Sequence, residues 1–410
     1  MTPSLRFNRA GDKKNSPEFE DYLCRLLEER DRIGLTDCIR QIDALMITVE
    51  PSHSLAYVAE LCVMTPYFYL VTLESEAHFT HILRIDMGAP DLLVREVKDP
   101  NVRGIFRSLN EVYPAGASKP NSRYMGEVLR VTDAHAVIAM QKARDIRFFN
   151  QEQIRKLELP GNMAIVKPSP YTHNIVAYWE RPESDIRVYA LGISAIREDM
   201  QAACEAAKST QEKWGIDTLL LPIDHLATRI YSQNREAAIL EYLTLSSYYY
   251  WGSYDITAQS SSTNVTKSVH YDNELVCPAK VFTAANHPYF MNHLLTESPT
   301  EAFVRNFGPR LHHIAVAVRD GETAELANID YVVRALRDSG QKFLLDVIGS
   351  KEEGLKQIFS SASEYSSLII EYVQRFGGFQ GFFTQDNVAG LTHAAGVEES
   401  LKALQQIAQA

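Results

Sequence analysis

Two stretches of the sequence decide the fold, LHHIAVAV at residues 311–318 and SLIIEYVQRF at residues 367–376. Both are short apolar runs rich in β-branched residues, a composition that predicts β-strands. Each run also carries a residue that a plain core strand avoids, His313 in the first and Glu371 in the second. Because a buried carboxylate without a partner is strongly destabilising, Glu371 needs a partner, and a metal ion is one candidate.

A third strand-like run, LLPIDHLA at residues 220–227, places His225 where the first run has His313. Two histidines and one carboxylate on facing strands form the facial triad of non-haem iron(II) oxygenases, which leaves coordination positions open for other ligands. The three strands therefore predict a metal site built from His225, His313 and Glu371.

Each of these residues also has a plainer interpretation. A histidine at the start of a strand is by itself more often a hydrogen-bonded core residue, and Glu371 could instead pair with Arg229 or Arg375. The joint order and spacing of the three residue types favours the metal site over these alternatives. His312 is the predicted non-ligand of its pair, because neighbouring residues of a strand point to opposite faces.

Length, composition and charge limit the classes of function. The 410 residues exceed a typical single core, so two domains are expected, at residues 1–214 and 215–410, with the boundary at a helical pattern over 194–213. With 45% hydrophobic and 23% charged residues, the chain has the composition of an ordinary soluble globular protein. The net charge of −11 disfavours nucleic acids and anionic membranes as partners, which leaves small molecules.

Cysteine usage and hydropathy bear on the location of the protein. No run reaches the ~18 apolar residues of a membrane span, and the polar first residues lack the apolar core of a secretion signal. The expected location is the cytoplasm, and the oligomeric state is left open, with a homodimer as one option. The cysteines are scattered without a C-x-x-C pair and are expected to be buried thiols in a reducing compartment, not metal ligands. They are Cys24, Cys38, Cys62, Cys204 and Cys277.

The N-terminal half is predicted to be a mixed α/β domain without a catalytic cluster. A helical pattern covers residues 17–33, and strand-like runs include 56–59 and 135–140. His135 and His173 have no carboxylate at a matching spacing, so both are expected to be ordinary hydrogen-bonded residues.

The C-terminal half repeats one βαβββ pattern. The first copy has a predicted strand at 223–230, a helix at 234–243, and strands at 248–254, 264–269 and 275–281. The second copy has a predicted strand at 311–318, a helix at 328–338, and strands at 342–347, 355–360 and 368–374. Between the copies, residues 284–306 are predicted to form a helical linker that closes the cavity from outside. Two such units side by side form a curled mixed sheet whose concave face can hold a metal, so the predicted fold class is α+β.

Short motifs in this half carry a family resemblance. They are, in chain order, DH at 224–225, HHIA at 312–315, QIF at 357–359, EYVQR at 371–375 and FQGF at 379–382, followed by Asn387. In this order they resemble the vicinal-oxygen-chelate superfamily and, within it, the 4-hydroxyphenylpyruvate dioxygenase family. The resemblance covers residues 215–395, while the N-terminal half resembles the family only in length and position.

The resemblance implies paired βαβββ modules around a metal, with a second α/β N-terminal domain that is supporting or a degenerate copy. It also implies Fe(II) as the cofactor and a dioxygenase that decarboxylates and oxygenates a 2-oxo acid with dioxygen. Gln357 and Asn387 would be catalytic polar contacts. The residues that the resemblance and the neighbouring substitutions place at the substrate are Ser268, Lys280, His312, Gln357, Phe359, Phe382, Phe383 and Asn387.

The sequence also departs from that family. His312 replaces the family's glutamine, AKV at 279–281 stands in place of its Ile-Asn-Glu, and Val388 replaces a phenylalanine. The metal site is thus expected to be retained and the substrate pocket altered. If Lys280 faces inward, the substrate should carry a second acidic or strongly hydrogen-bonding group; if it lies at the rim, an ordinary aromatic 2-oxo acid is expected.

Two other classes of function stay open. One is an extradiol-type ring-cleaving dioxygenase or another metal enzyme of the same superfamily. The other is a non-catalytic module that binds a small molecule. Isomerases of the superfamily usually have a fourth protein ligand where this chain has residues 279–281, which argues against an isomerase but not against ring cleavage.

Overall fold

The computed structural model describes residues 10–11, 15–85, 88–101, 105–180, 192–270, 277–288, 298–379 and 381–409. The helices α1 to α11 are Pro17–Arg32, Leu35–Cys38, Ser54–Met64, Ile105–Glu111, Ala134–Lys142, Gln151–Lys156, Glu198–Trp214, Arg235–Leu245, Pro299–Phe307, Asn328–Asp338 and Gln385–Gln409. Within these described ranges, no helix combines the length and the apolar character needed to cross a membrane.

The strands fall into two large mixed sheets and one small hairpin. In chain order, β1 to β10 are Ala10–Gly11, Ile39–Val49, Phe68–Glu74, His78–Arg84, Asp91–Val97, Arg123–Val131, Ala164–Ile165, Ile175–Glu180, Ile193–Ala195 and Leu220–Ile230. Strands β11 to β19 are Tyr248–Ile256, Ser261–Ser268, Ala279–Ala285, Arg310–Val318, Glu322–Thr323, Leu326–Ala327, Ile348–Ser350, Leu355–Phe359 and Ile369–Arg375.

Each large sheet is built around an antiparallel pair of strands. The first sheet has the order β7-β8-β6-β2-β5-β4-β3-β9, and the second has the order β1-β11-β12-β13-β10-β14-β19-β18-β17. The central pairs are β2 with β6 and β10 with β14, and each central strand has a parallel partner on its other side. This is an α+β fold of paired modules, as the sequence predicts, and it is present in both halves of the chain.

The two central strand pairs have register shifts at equivalent positions. Three register shifts interrupt the pairing of β2 with β6, and three interrupt β10 with β14 at corresponding places. The positions of one sheet can therefore be matched to those of the other through the pairing partners. The three predicted metal-ligand positions have these equivalents in the first sheet: Ala44 for His225, Gly126 for His313 and Ala177 for Glu371.

One of these equivalents has no room for any side chain. Gly126 has a φ of 150°, and a Cβ at this position would lie 1.9 Å from the carbonyl oxygen of Ile175. A side chain there would clash with the backbone of β8, a partner that cannot move away as a flexible side chain could. The first sheet therefore keeps the architecture of the second without its ligand set.

The main hydrophobic core lies on the faces of both sheets that are covered by helices. It includes Leu45 on β2 and Leu226 on β10, which are fully buried. Helix α10 illustrates why these helices form: its buried Ile329, Val332 and Leu336 recur at helical spacing, while Asp330 and Arg337 stay outside the core. The helix predicted at 328–338 is confirmed.

Two short runs in the N-terminal half were wrong as strand predictions. Residues 56–59 lie inside α3, and residues 135–140 lie inside α5. A short apolar window cannot distinguish a strand from a buried helix. The available signal for α5 was Asp133, whose side chain accepts a hydrogen bond from the backbone N–H of Ala136 and so begins the helix.

Three boundaries in the C-terminal half also differ from the prediction. Residues 342–347 form no regular strand; Phe343 makes only an isolated bridge with Ser360, and β17 follows it. The predicted linker helix shrinks to α9, and residues 289–297 of that prediction lie outside the described residues. The strand predicted at 275–281 begins at Ala279, and residues 271–276 are likewise outside the description.

The expectation that all cysteines are free thiols was wrong for one pair. Cys62 on α3 and Cys204 on α7 form a disulfide, with 5.4 Å between their Cα atoms and 142 residues between them in the sequence. Such a long separation follows no motif spacing, so only the packing of α3 against α7 brings the two together. Cys24 is exposed, Cys38 is half-buried and Cys277 is buried.

Most of the strands before residue 215 belong to the first sheet and most of the strands after it to the second, but a short part of the N-terminal half contacts the second sheet. Helix α7 ends at Trp214, and the next strand, β10, belongs to the second sheet. However, β1 near the N-terminus pairs with β11 of the second sheet, and Arg30 on α1 donates hydrogen bonds to the carbonyls of Leu243 and Tyr248. The division into domains at 214/215 stays a prediction.

Candidate metal centre

Three adjacent strands bring His225, His313 and Glu371 together. His225 on β10 and Glu371 on β19 both pair with Ala315 of β14, one from each side. His313 lies two residues before Ala315, so its side chain points to the same face of the sheet. Among the described residues, these three form one group that could hold a metal ion. Their ligand atoms all lie within 4.8 Å of one another.

The distances among the three ligand atoms fit a single ion. Oε2 of Glu371 lies 3.0 Å from Nε2 of His225 and 3.1 Å from Nε2 of His313. The two Nε2 atoms are 3.3 Å apart. Two ligands about 2.1 Å from one ion and at right angles to each other are about 3.0 Å apart. Two imidazoles and one carboxylate on one side of an ion suit Fe(II), although other first-row divalent metals accept the same donors.

The pKa values of the three side chains follow from this packing. Burial opposes the charged form of His225, but the carboxylates of Glu371 and Asp224 outweigh it and raise its pKa to about 9. Burial also opposes ionised Glu371, but the two histidines lower its pKa to about 2. Burial lowers the pKa of His313. The site thus stabilises one positive charge beside an ionised carboxylate, and a metal cation would occupy the same favourable field.

On one side, a carboxylate and a guanidinium fix the ring of His225. Nδ1 of His225 lies 2.7 Å from Oδ1 of Asp224, and Arg375 donates to both oxygens of that carboxylate. Asp224 and His225 are neighbours in sequence, and a register shift between Ile223 and His225 interrupts the pairing at this point. Because Nδ1 is engaged, Nε2 is left to face the other two ligands.

On the other side, His312 fixes the ring of His313. The Nδ1 atoms of the two rings are 2.8 Å apart, and Nε2 of His312 is bonded to Glu399 of α11. Glu399 is in turn paired with Arg229 of β10. Burial holds the pKa of His312 well below its usual range, which favours the neutral form. His312 does not turn away from the cavity, and its contact with His313 is that of a positioning residue.

Gln357 holds the third ligand. Its Nε2 donates to Oε1 of Glu371 at 2.6 Å, across the pairing of β18 with β19. Oε1 of Gln357 is buried and has no hydrogen-bond partner in the described part of the chain. Gln357 thus orients the carboxylate of Glu371, and its Oε1 can accept a hydrogen bond from a ligand in the cavity.

A cavity of about 40 Å³ lies in front of the cluster. Phe359, predicted to line it, packs with its ring centroid 4.8 Å from that of His313. Phe382 and Phe383 lie with ring centroids 5.4 Å and 5.2 Å from that of His225. Helix α11 supplies another part of the wall, through Val388, Leu391 and Thr392.

The structure does not bring Lys280, predicted as a substrate contact, to this cavity. Val281 and Thr283 of β13 line the cavity, so Lys280 points to the opposite face of the sheet. There its Nζ lies 2.7 Å from Oε1 of Glu127 on β6, and both side chains are buried. The charge of Lys280 is balanced by Glu127 within the protein, so neither of the two positions considered from the sequence, inward at the substrate or solvated at the rim, is the one observed.

Ser268 and Asn387 are not brought to the cluster either. Ser268 is at the end of β12, where its hydroxyl accepts a hydrogen bond from the backbone N–H of His270. The amide of Asn387 faces the carbonyl of Leu355 at 3.5 Å. Neither residue lines the cavity in front of the metal ligands.

Two residues near the site, Lys267 and Glu399, were not predicted from the sequence. Alternation along β12 would have favoured Lys267, whose Nζ lies 4.5 Å from the centroid of Trp251 and 5.2 Å from that of Phe382. Burial and the nearby Arg375 lower the pKa of Lys267 to about 8. No local pattern points to Glu399, because its role depends on how α11 packs across the sheet.

No family model matches this chain, and no curated protein matches it. Among solved structures, it is similar to a mutant of 4-hydroxymandelate synthase from Streptomyces coelicolor, with 14% identity and a TM-score of 0.59, over 88% of this chain and 99% of that chain. It is also similar to a xylose isomerase-like TIM barrel/4-hydroxyphenylpyruvate dioxygenase fusion protein, with 15% identity and a TM-score of 0.54, over 91% of this chain and 57% of that chain.

At such low identities a structural likeness is evidence of the fold alone. The likeness extends over both halves of the chain, in agreement with the paired modules found in each sheet. The chain therefore has the vicinal-oxygen-chelate fold, with paired modules in both large sheets.

Proposed function

We propose that this protein is an Fe(II)-dependent dioxygenase that decarboxylates and oxygenates a 2-oxo acid. The observation that carries the proposal is the cluster of His225, His313 and Glu371, whose ligand atoms converge from one face of a sheet beside a cavity. The names of the two structural neighbours, a 4-hydroxymandelate synthase and a fusion containing 4-hydroxyphenylpyruvate dioxygenase, support the same class of chemistry.

The ligand set suits an anionic chelating substrate. Iron(II), when bound, supplies a redox-active centre with open coordination positions for a 2-oxo acid and dioxygen. A single carboxylate among the three protein ligands leaves a net positive charge at the centre, which favours an anion as the next ligand. Asp224 and His312 hold the imidazoles, and Gln357 holds the carboxylate, so the three ligands are in place before substrate arrives.

The wall of the cavity favours an aromatic or apolar substrate tail. Phe359, Phe383, Val388 and Leu391 face it, and they exclude water from the reacting atoms. With Lys280 paired elsewhere, no cation on β13 selects a second acidic group, so we propose an ordinary aromatic 2-oxo acid.

The size of the cavity adds a requirement for movement. A volume of about 40 Å³ accommodates only a few water molecules, and ligand sites commonly measure about 300 to 1,000 Å³. An aromatic 2-oxo acid can therefore enter only if the wall moves outward. Helix α11 forms part of that wall, and Glu399 joins it to Arg229 and His312 of the sheet.

The proposal is tested with the purified full chain under anaerobic conditions. Addition of Fe(II) and phenylpyruvate should produce a visible metal-to-ligand charge-transfer band, and admission of oxygen should then consume phenylpyruvate without added 2-oxoglutarate. His135→Ala, an exposed position on α5, is the control and should behave as the wild type. Oxygen consumption with catechols but with no 2-oxo acid would instead favour an extradiol dioxygenase, and absence of both activities would favour a binding module.

A further inference from the structure

The first sheet also encloses a cavity, and it is much larger than that of the metal centre. Its volume is about 440 Å³, and it lies against β2, β5 and β6 and the helix α6. It is the counterpart of the metal cavity on the same face of the equivalent strands, where Ala44, Gly126 and Ala177 replace the ligands. The volume falls within the range of small-molecule sites, about 300 to 1,000 Å³.

The cavity is lined by apolar and cationic side chains together with neutral polar ones such as Thr48, Asn121 and Gln153. Phe106, Met125 and Phe149 supply much of the apolar wall, while Arg95 and Lys156 supply positive charge. None of the described residues that line it is an aspartate or a glutamate. The cavity therefore combines a surface for an apolar body with a field that favours a negative group.

Arg95 is the most informative of these residues because it is only 1% exposed. Its Nε donates to Oγ1 of Thr80 at 3.2 Å, and its Nη2 donates to the carbonyl of Leu157 at 2.7 Å. These contacts use two of its five N–H groups, and Arg95 forms no ion pair with any carboxylate that the structure describes. A buried guanidinium in this state lacks the anion that would offset its desolvation.

The acidic side chain whose charge acts on Arg95, Glu158, is engaged by other groups. Glu158, whose charge is felt at Arg95, accepts hydrogen bonds from His78, Ser75 and the backbone N–H of Ala77. It is therefore held at the edge of β4 and does not turn toward Arg95. A carboxylate from outside the protein would meet the guanidinium with the two parallel hydrogen bonds that this pair favours.

A purely structural role explains Arg95 less well. Its register equivalent on β13 is Thr283, a small neutral residue, so the architecture does not need an arginine here. The second sheet has a buried arginine nearby, Arg229, and there the protein supplies its own carboxylate, Glu399. Among the residues that the structure describes, no carboxylate pairs with Arg95 in this way.

We propose that the cavity of the first sheet binds a small carboxylate with an apolar body, with Arg95 holding the carboxylate and Phe106 and Phe149 packing on the body. The site uses no metal and does not depend on the chemistry proposed for the second sheet. It gives the N-terminal half a binding function of its own.

The test uses isothermal titration of the full-length, iron-loaded protein with 3-phenylpropionate, and with its neutral amide, 3-phenylpropanamide, as the matched control ligand. The carboxylate should bind and the amide should bind at least tenfold more weakly. Binding should persist in His313→Ala, because that change disrupts only the metal centre. Loss of binding in His313→Ala would place the ligand at the metal and overturn the proposal.

Two variants then locate the site. Arg95→Gln keeps a polar group near the carbonyl of Leu157 and should weaken binding of 3-phenylpropionate at least tenfold. Val97→Phe, which projects into the cavity from β5, should also weaken it at least tenfold by occupying the space, and it covers the case in which Arg95→Gln fails to fold. Unchanged affinity in folded protein of either variant, or no binding by the wild type, would overturn the proposal.

Discussion

The concave face of the second sheet holds three converging ligands in front of a cavity of about 40 Å³, whereas the same face of the first sheet leaves about 440 Å³ open. Both faces are framed by the same strand pairing with the same register shifts. The difference therefore does not come from the backbone architecture. It comes from a few side-chain positions and from the segments that line each cavity. Helix α11 contributes to the wall of the second cavity, and none of the described residues lining the first belongs to α11.

The two faces also differ in how their buried cations are matched. Arg229 and Arg375 of the second sheet are paired with Glu399 and Asp224, so their charge is used to orient metal ligands. Arg95 of the first sheet has no such partner among the described residues. In the second sheet the paired arginines support the proposed cation site. In the first sheet Arg95, unpaired among the described residues, supports the proposed anion site.

The strongest test of this comparison removes the ligands themselves. His225→Ala, His313→Ala and Glu371→Ala should each abolish stoichiometric Fe(II) binding and lower oxygen consumption with phenylpyruvate by a factor on the order of 10³ or more. The reason is that the remaining two ligands cannot hold the ion in a fixed geometry. Metal analysis after gel filtration measures the first effect and an oxygen electrode the second. Full iron content in all three variants would contradict the assignment of the site.

The next test concerns the contact between the sheets. Lys280→Met leaves Glu127 buried without its partner and should lower the free energy of unfolding by about 3 to 5 kcal/mol. The double variant Glu127→Gln/Lys280→Met should recover much of that loss, because neither charge is then left alone. Urea denaturation measures both, with iron content unchanged throughout. A Lys280→Met protein of normal stability but altered 2-oxo acid preference would mean that Lys280 faces the substrate after all.

A smaller effect is expected from the residues that position the ligands. His312→Ala should weaken Fe(II) binding by about 10- to 100-fold without abolishing it, because His313 keeps its place on β14 but loses its orienting contact. Asp224→Asn should have an effect of similar size on the side of His225. Competition with a chelator gives the affinities. Equal iron affinity in His312→Ala and wild type would reduce His312 to a packing residue.

The smallest expected effect is at the position that matches a metal ligand in the other sheet. Ala44→Ser should change the free energy of unfolding by about 1 kcal/mol and leave iron stoichiometry and oxygen consumption unaltered. Thermal unfolding and metal analysis check both. A loss of iron in this variant would show that the first sheet takes part in the metal site, against the register comparison.

Several features of the fold could be predicted from the sequence because they depend on local patterns. The strands β10, β14 and β19 carry apolar β-branched runs, and α10 carries an apolar stripe at helical spacing. The short windows in α3 and α5 were ambiguous, because buried helices and strands have similar composition over so few residues.

Of the candidate site, the three proposed ligands could be predicted from the sequence, but most of the contacts around them could not. Their assignment came from three residue types on three strands, and the structure places those residues side by side. The orientation of Lys280 was decided by the alternation of β13, and its partner Glu127 lies in the other half of the chain. Contacts such as those of Glu399 and Arg95 depend on tertiary packing, which leaves no trace in the spacing of residues.

The ion pair between Glu127 and Lys280 has a consequence for the ancestry of the chain. Two halves with one architecture suggest modules that could be exchanged, lost or inherited separately. Here each half carries one member of a buried pair, so a gene that kept only one half would present a lone charge within a large apolar surface. The pair therefore favours inheritance of the two halves together, although only one of them carries the proposed metal ligands.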